Sequence, residues 1–126
     1  MYEIGVIAQF EAAHRLRGDF GPATRLHGHT YRLEVVTRGE RLRPDGTLFD
    51  LAHLQAIVNA IVADLHYRDL DEVPGLAGRN TTAEIVADYC WERIAPALRG
   101  HGLASLLVRV WESPQGYAAR EDRLAR

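Results

Sequence analysis

His14, His27 and His29 are the residues of this 126-residue chain best suited to chemistry. His14 closes the run Phe10-Glu11-Ala12-Ala13-His14, and the other two stand in Leu26-His27-Gly28-His29-Thr30-Tyr31. Successive side chains of a strand point to opposite faces, so a His-x-His pair in a strand presents both imidazoles on one side. A third imidazole from an adjacent strand would bring three neutral nitrogen donors to one point. Three protein ligands with a fourth position left open is the pattern of a catalytic zinc site. A structural zinc site would draw on cysteines, and the chain has only Cys90. A single histidine at the end of an apolar strand is ordinarily a hydrogen-bonded core residue. It is the coincidence of His14 with His-x-His that points to a metal. His53, in a helical stretch, and His101, in a Gly-His-Gly turn, read as solvated.

Two strands are expected to carry these histidines. Residues 2–12 alternate, with Tyr2, Ile4, Val6, Ala8, Phe10 and Ala12 on one face and His14 continuing it. Residues 17–25 hold Gly and Pro and read as a loop. From His27 to Arg38 the residues His27, His29, Tyr31, Leu33 and Val35 share a face opposite Arg32, Glu34 and Arg38. Asp50 is a good N-cap for a helix with Leu51, Leu54, Ile57, Val58, Ile61 and Leu65 at helical spacing. After a loop from Tyr67 to Asn80, Thr81-Thr82-Ala83-Glu84 reads as a capping box with Thr81 as N-cap. The helix it opens carries Ile85, Val86, Tyr89, Cys90 and Ile94 and ends or bends near Pro96; Cys90 reads as core. Residues 103–111 alternate again, with Ala104, Leu106, Val108 and Val110 on one face and Glu112 in the same parity. Gly116 to Ala119 is a short last strand, and Arg120 to Arg126 a charged tail.

The expected order is ββααββ in a single domain over residues 1–126. It is an α+β layer, an antiparallel four-stranded sheet with two helices on one face. Such a sheet has two open edges, so self-association is expected. Apolar residues make up 47% and charged residues 25%, with a formal net charge of -2. That balance gives no pull toward nucleic acid or an anionic membrane. No apolar run is long enough to span a bilayer, and Met1-Tyr2-Glu3-Ile4 lacks the features of a secretory signal. A single cysteine fits a reducing cytoplasm.

Four stretches appear in this order: Phe10-x-Ala12-Ala13-His14, Leu26-His27-Gly28-His29-Thr30-Tyr31, Phe49-Asp50 before a helix, and Trp111-Glu112 at a strand end. Together they closely resemble the 6-pyruvoyl-tetrahydropterin synthase and 6-carboxy-tetrahydropterin synthase family, from Phe10 to Glu112. The resemblance implies the tunnelling fold (T-fold), whose trimers close a barrel and stack in pairs as a homohexamer. It implies zinc on His14, His27 and His29, a pterin ring gripped by Glu112, and Thr81 and Thr82 near the pterin pocket. The implied substrate is 7,8-dihydroneopterin triphosphate, which the lyase branch converts to 6-carboxy-tetrahydropterin on the route to deazapurines such as queuosine. Glu112 suits its implied part, since a carboxylate accepts paired hydrogen bonds from an amino-group edge.

The chain departs from that family at its proton-transfer residues. Ala23 stands where the family has a cysteine four residues before the His-x-His, with Thr24 beside it. His66 and Tyr67 stand where the family has an Asp-His pair. His66 and Tyr67 could form an acid/base pair, and Asp19 in the long loop is a further candidate base. The alternative is a non-catalytic homologue that binds zinc and a pterin without turnover. A cupin-like motif, Gly21, His27, His29, Glu34 and Gly39, fails because Glu34 has the wrong strand parity and two consecutive helices do not suit a jelly roll.

Overall fold

The alternation at the start of the chain folds as two long antiparallel strands, β1 (Tyr2–His14) and β2 (His27–Gly39). They run in register from Tyr2↔Gly39 to His14↔His27. The computed structural model describes residues 1–125 of the chain. Between the two strands the loop holds a 3-10 turn at Gly21–Thr24. Helix α1 (Leu51–Ala63) starts on Asp50, whose carboxylate accepts from the Ala52 N–H at 3.0 Å. Leu54 and Val58 are fully buried, whereas Leu51 stays exposed and Leu65 is buried past the helix end.

Helix α2 (Ala83–Leu98) is capped by Thr82, not by Thr81 as expected. Thr82 Oγ1 accepts from the Ile85 N–H at 3.3 Å, and Glu84 falls one position too early for a capping box. The physical reason is that the Thr81 hydroxyl is engaged elsewhere, donating to Asp71 Oδ1 at 2.8 Å.

A short strand β3 (Arg68–Asp69), then β4 (Ser105–Ser113) and β5 (Gly116–Arg123), complete the sheet in the order β3-β1-β2-β4-β5. The sheet therefore has five strands rather than the expected four, and β3 pairs parallel to Ala12 and Ala13 of β1. Two residues are too few to show alternation. What sets β3 is the backbone of Tyr67, turned to φ 59°, whose N–H donates to the Glu11 carbonyl at 2.7 Å. The last strand also outruns expectation. Arg120 pairs with Asp88 and Glu92 of α2 and lies 4.0 Å over the Trp91 ring, so Arg120–Arg123 is strand rather than frayed tail.

One core joins both helices to the inner face of the sheet, with Phe10, Tyr31, Leu33, Val35, Leu106, Val108 and Val110 from the strands. Trp91 bridges the layers by donating its Nε1–H to the Leu106 carbonyl at 2.8 Å. Each such large side chain contributes about 1.5–3 kcal/mol on burial. On the opposite face Glu34 accepts from Arg32 at 2.7 Å, Trp111 Nε1 at 2.9 Å and Arg109 at 3.1 Å. The Arg32 bond leads in holding its carboxyl below the usual range. Glu34 thus faces away from His27 and His29, as its parity requires. Among the described residues no helix is long and apolar enough to cross a membrane.

Candidate metal centre and adjoining cleft

The β1–β2 register sets His14 directly across from His27, and Ala12 across from His29. All three imidazoles consequently lie on the inner face at one end of the strand pair. Ring centroids are 4.6 Å apart for His14 and His27, 4.8 Å for His27 and His29, and 5.1 Å for His14 and His29. One ring nitrogen from each lies within 4.8 Å of the others.

Backbone carbonyls orient two of the rings. His14, fully buried, donates Nδ1–H to the Thr81 carbonyl at 2.7 Å, and His27 donates Nδ1–H to the Arg25 carbonyl at 2.7 Å. A carbonyl can only accept, so each bond places the proton on Nδ1 and leaves Nε2 as a bare acceptor. His14 Nε2 and His29 Nε2 stand 3.2 Å apart. A tetrahedral metal with nitrogen ligands at about 2.0–2.1 Å would space them roughly 3.3 Å apart. Without an ion, His29 Nε2–H can donate to His14 Nε2 across that gap; with one, both nitrogens would turn lone pairs to the metal. Burial is the main cause that lowers the His29 pKa; the neighbouring His14 and His27 add to it, and Glu112 opposes it. The neutral imidazole it favours is the ligating form. The cluster therefore fits a metal ion, and its all-nitrogen donor set suits zinc and other imidazole-loving metals.

Behind His14 a chain of hydrogen bonds runs from buried Thr81 out to half-buried Asp71. Thr81, fully buried, donates Oγ1–H to Asp71 Oδ1 at 2.8 Å, and Asp71 Oδ2 accepts from the Arg15 N–H at 3.0 Å. Thr81 thus sits against the metal cluster from behind, while Thr82 caps α2. Asp71 had no motif to single it out; it gains importance only through the 3-10 turn Leu70–Glu72 that brings it under Thr81.

Glu112 sits on β4 where a bulge between Trp111 and Ser113 interrupts its pairing with β5. Arg32 and Trp111 form the last pair of the β2–β4 ladder, and Tyr31 and Glu112 are their immediate neighbours in the chain. Its charge bears on His29 and on Tyr31, whose phenol is pushed up first by burial and then by Glu112 and Asp71. Glu112 thus joins the histidines on the inner face.

A cleft of ≈ 490 Å³ opens beside His29, lined also by Glu11, Gly28, Tyr67 and Asp69. Tyr67 is 80% exposed at its rim and stacks on His66 with ring centroids 3.9 Å apart. His66 Nδ1 accepts from the Glu11 N–H at 3.0 Å, which leaves only its Nε2 edge free. Asp19 is exposed in the loop and, among the described residues, makes no hydrogen bond to the histidines. Ala23 lies in the Gly21–Thr24 turn, where the Thr24 hydroxyl is spent on the Gly21 carbonyl at 2.8 Å. A larger cleft of ≈ 660 Å³, between the start of β1 and residues Leu48–Leu51, contains none of the three histidines. Cys90 is fully buried, and burial pushes its thiol up to about 12, so it is core as expected.

Comparison with known proteins agrees with this geometry. The family model for 6-pyruvoyl tetrahydropterin synthase matches residues 3–122. A 6-carboxy-5,6,7,8-tetrahydropterin synthase of Haemophilus influenzae is 25% identical over 144 residues, covering 97% of this chain and 100% of its own. A dihydroneopterin monophosphate aldolase of Pyrococcus furiosus is 36% identical over 93 residues, covering 74% of this chain and 75% of its own. The 6-pyruvoyl tetrahydropterin synthase structure from Caenorhabditis elegans superposes with a TM-score of 0.83 at 26% identity, covering 96% of this chain and 95% of that one. The chain belongs to the 6-pyruvoyl tetrahydropterin synthase family.

Proposed function

We propose that this protein is a zinc-dependent lyase of the 6-carboxy-tetrahydropterin synthase kind, acting on 7,8-dihydroneopterin triphosphate or a related pterin. The observation that carries the reading is the convergence of three imidazoles, two of them locked by backbone carbonyls with Nε2 turned inward. Zinc, when bound by His14, His27 and His29, supplies a Lewis acid that lowers the pKa of hydroxyl groups on the pterin side chain. Glu112, on the same inner face, would anchor the amino-group edge of the pterin ring. Thr81 and Thr82 would shape the far wall, Thr81 by holding His14.

Proton movement falls to groups that line the cleft. Tyr67 meets that condition, and its phenol both donates and accepts. His66 would serve as its support, since its Nδ1 is already committed to Glu11. Asp19 would have to swing in with its loop. The two sheet edges, β5 on one side and β1 beyond the two-residue cover of β3 on the other, favour assembly as a homohexamer, a dimer of trimers. A monomeric mass at micromolar concentration would contradict that assembly.

A second reading, a non-catalytic zinc- and pterin-binding homologue, draws on Ala23, which has no proton to move, and on the committed His66 Nδ1. The experiment that separates the readings is product analysis by mass spectrometry after incubating the zinc-loaded protein with 7,8-dihydroneopterin triphosphate. A ring left with a carboxyl group or a keto-bearing side chain, formed at an enzymatic rate, supports the lyase. A ring left with a hydroxymethyl group, the rest of the side chain being released as an aldehyde by retro-aldol cleavage, would mark an aldolase like the Pyrococcus furiosus relative. Intact substrate, bound but unconverted, would leave the binder.

A further inference from the structure

A buried hydroxyl and a carboxylate, each without a partner, lie side by side next to the metal cluster. Tyr31 is fully buried, its ring stacked on Phe10 at 4.8 Å and edge-on to His29 at 5.3 Å. Its phenolic oxygen is closed off from solvent and has no hydrogen-bond partner in the protein. Native proteins rarely leave a buried hydroxyl in that state. Glu112, at the bulge in β4, receives no hydrogen bond on its carboxylate among the described residues. Arg32 and Trp111 form the last pair of the β2–β4 ladder; Tyr31 and Glu112 are the residues that follow it on the two adjacent strands, and the charge of Glu112 reaches Tyr31. The other carboxylate whose charge reaches Tyr31 is Asp71, and both its oxygens are already taken, by Thr81 and by the Arg15 N–H.

We infer that Tyr31 is the positioning residue for Glu112: its O–H donates through one enclosed water to one carboxylate oxygen, and so turns the other oxygen to the ligand. The inference rests on the reading of Glu112 as the anchor of the pterin ring. A carboxylate at a bulge has several rotamers open to it. One held in place beforehand loses less freedom when the ligand arrives, and that saving appears as affinity.

Tyr31→Phe removes the oxygen and little else. Two readouts on the metal-loaded protein test the inference. The first is the melting temperature of the ligand-free wild type, Tyr31→Phe, Glu112→Leu and the double variant. A bonded hydroxyl predicts that Tyr31→Phe lowers Tm by about 4 °C, and that the loss vanishes in the Glu112→Leu background. The second is affinity for neopterin, followed by its fluorescence. Tyr31→Phe should weaken binding about tenfold in the wild type, and less than about twofold in a Glu112→Gln background, because both lesions strike one interaction. A Tm that rises or stays level in Tyr31→Phe overturns the inference, since an unbonded hydroxyl would have been removed. Equal Tm losses in both backgrounds overturn it too, since the acceptor would not be Glu112. If the melting cycle is coupled but Glu112→Gln binds neopterin like wild type, the anchor reading of Glu112 fails. The positioning role then falls with it, although the bond itself stands.

Discussion

Thr81→Val isolates the bonds that stand behind His14. Valine matches threonine in shape, and the Thr81 carbonyl that accepts from His14 Nδ1 at 2.7 Å is retained. What is lost is the hydroxyl, which donates to Asp71 at 2.8 Å and lies 3.4 Å from His14 Nδ1. Asp71 Oδ1 then loses its protein donor, on a side chain that is only half-buried. A hydrogen bond to a charged group is worth about 1.5–3 kcal/mol, and partial access to water sets the low end here. At about 4 °C per kcal/mol for a domain of this size, the melting temperature should fall by roughly 6 °C. Metal affinity should fall as well, because the segment that orients His14 has lost its tie to Asp71. Removing a partner of a ligating histidine costs about 10–100-fold. With the carbonyl itself intact, the low end, about tenfold, is expected. Competition with a chromophoric zinc chelator reads the affinity, and thermal unfolding of the apo and zinc-loaded forms reads the stability. A fall in Tm with unchanged zinc affinity would refute the coupling of Thr81 to the metal. No change in either would refute the buried bond.

Three further outcomes follow from the site. His27→Ala should lose most bound zinc after dialysis, as two imidazoles hold the ion far less firmly than three; a full complement by elemental analysis would displace the metal assignment. Glu112→Gln replaces one acceptor oxygen with a donor and should weaken pterin binding about tenfold at unchanged zinc content. Equal affinity of variant and wild type would remove Glu112 from the ligand site. Because burial pushes the Cys90 thiol up to about 12, the native protein should resist iodoacetamide and react only on unfolding. Rapid native labelling would show that α2 is less tightly packed than described.

The metal cluster was legible because strand alternation has a period of two, and that parity survives from Phe10 to His14 and from His27 to Val35. The β1–β2 register then does the rest, since His14 and His27 meet as a directly opposed pair. The alternation from Leu106 to Val110 likewise runs unbroken as far as the bulge that holds Glu112. Other features depend on contacts between distant segments and leave no local pattern. β3 is two residues long and owes its place to the turned backbone at Tyr67. The cap of α2 shifted by one residue because Asp71, ten positions earlier, draws the Thr81 hydroxyl away. Arg120 looked like part of a solvated tail, yet the Trp91 ring and two acidic side chains of α2 hold it in a strand. Asp71 carries no motif at all, and Tyr31 closes the His-x-His stretch without any sign of its own part; only the folded arrangement sets Asp71 against Thr81 and leaves the Tyr31 hydroxyl buried near His29.

If catalysis runs on the three-histidine centre, turnover depends on the metal. The protein is stripped with a chelator, and consumption of 7,8-dihydroneopterin triphosphate is measured before and after restoring one equivalent of zinc per chain. The stripped protein should consume a negligible amount and recover on adding zinc, whereas His27→Ala should not recover when given the same zinc. Equal rates with and without zinc, or no consumption by the zinc-loaded wild type, would contradict that dependence.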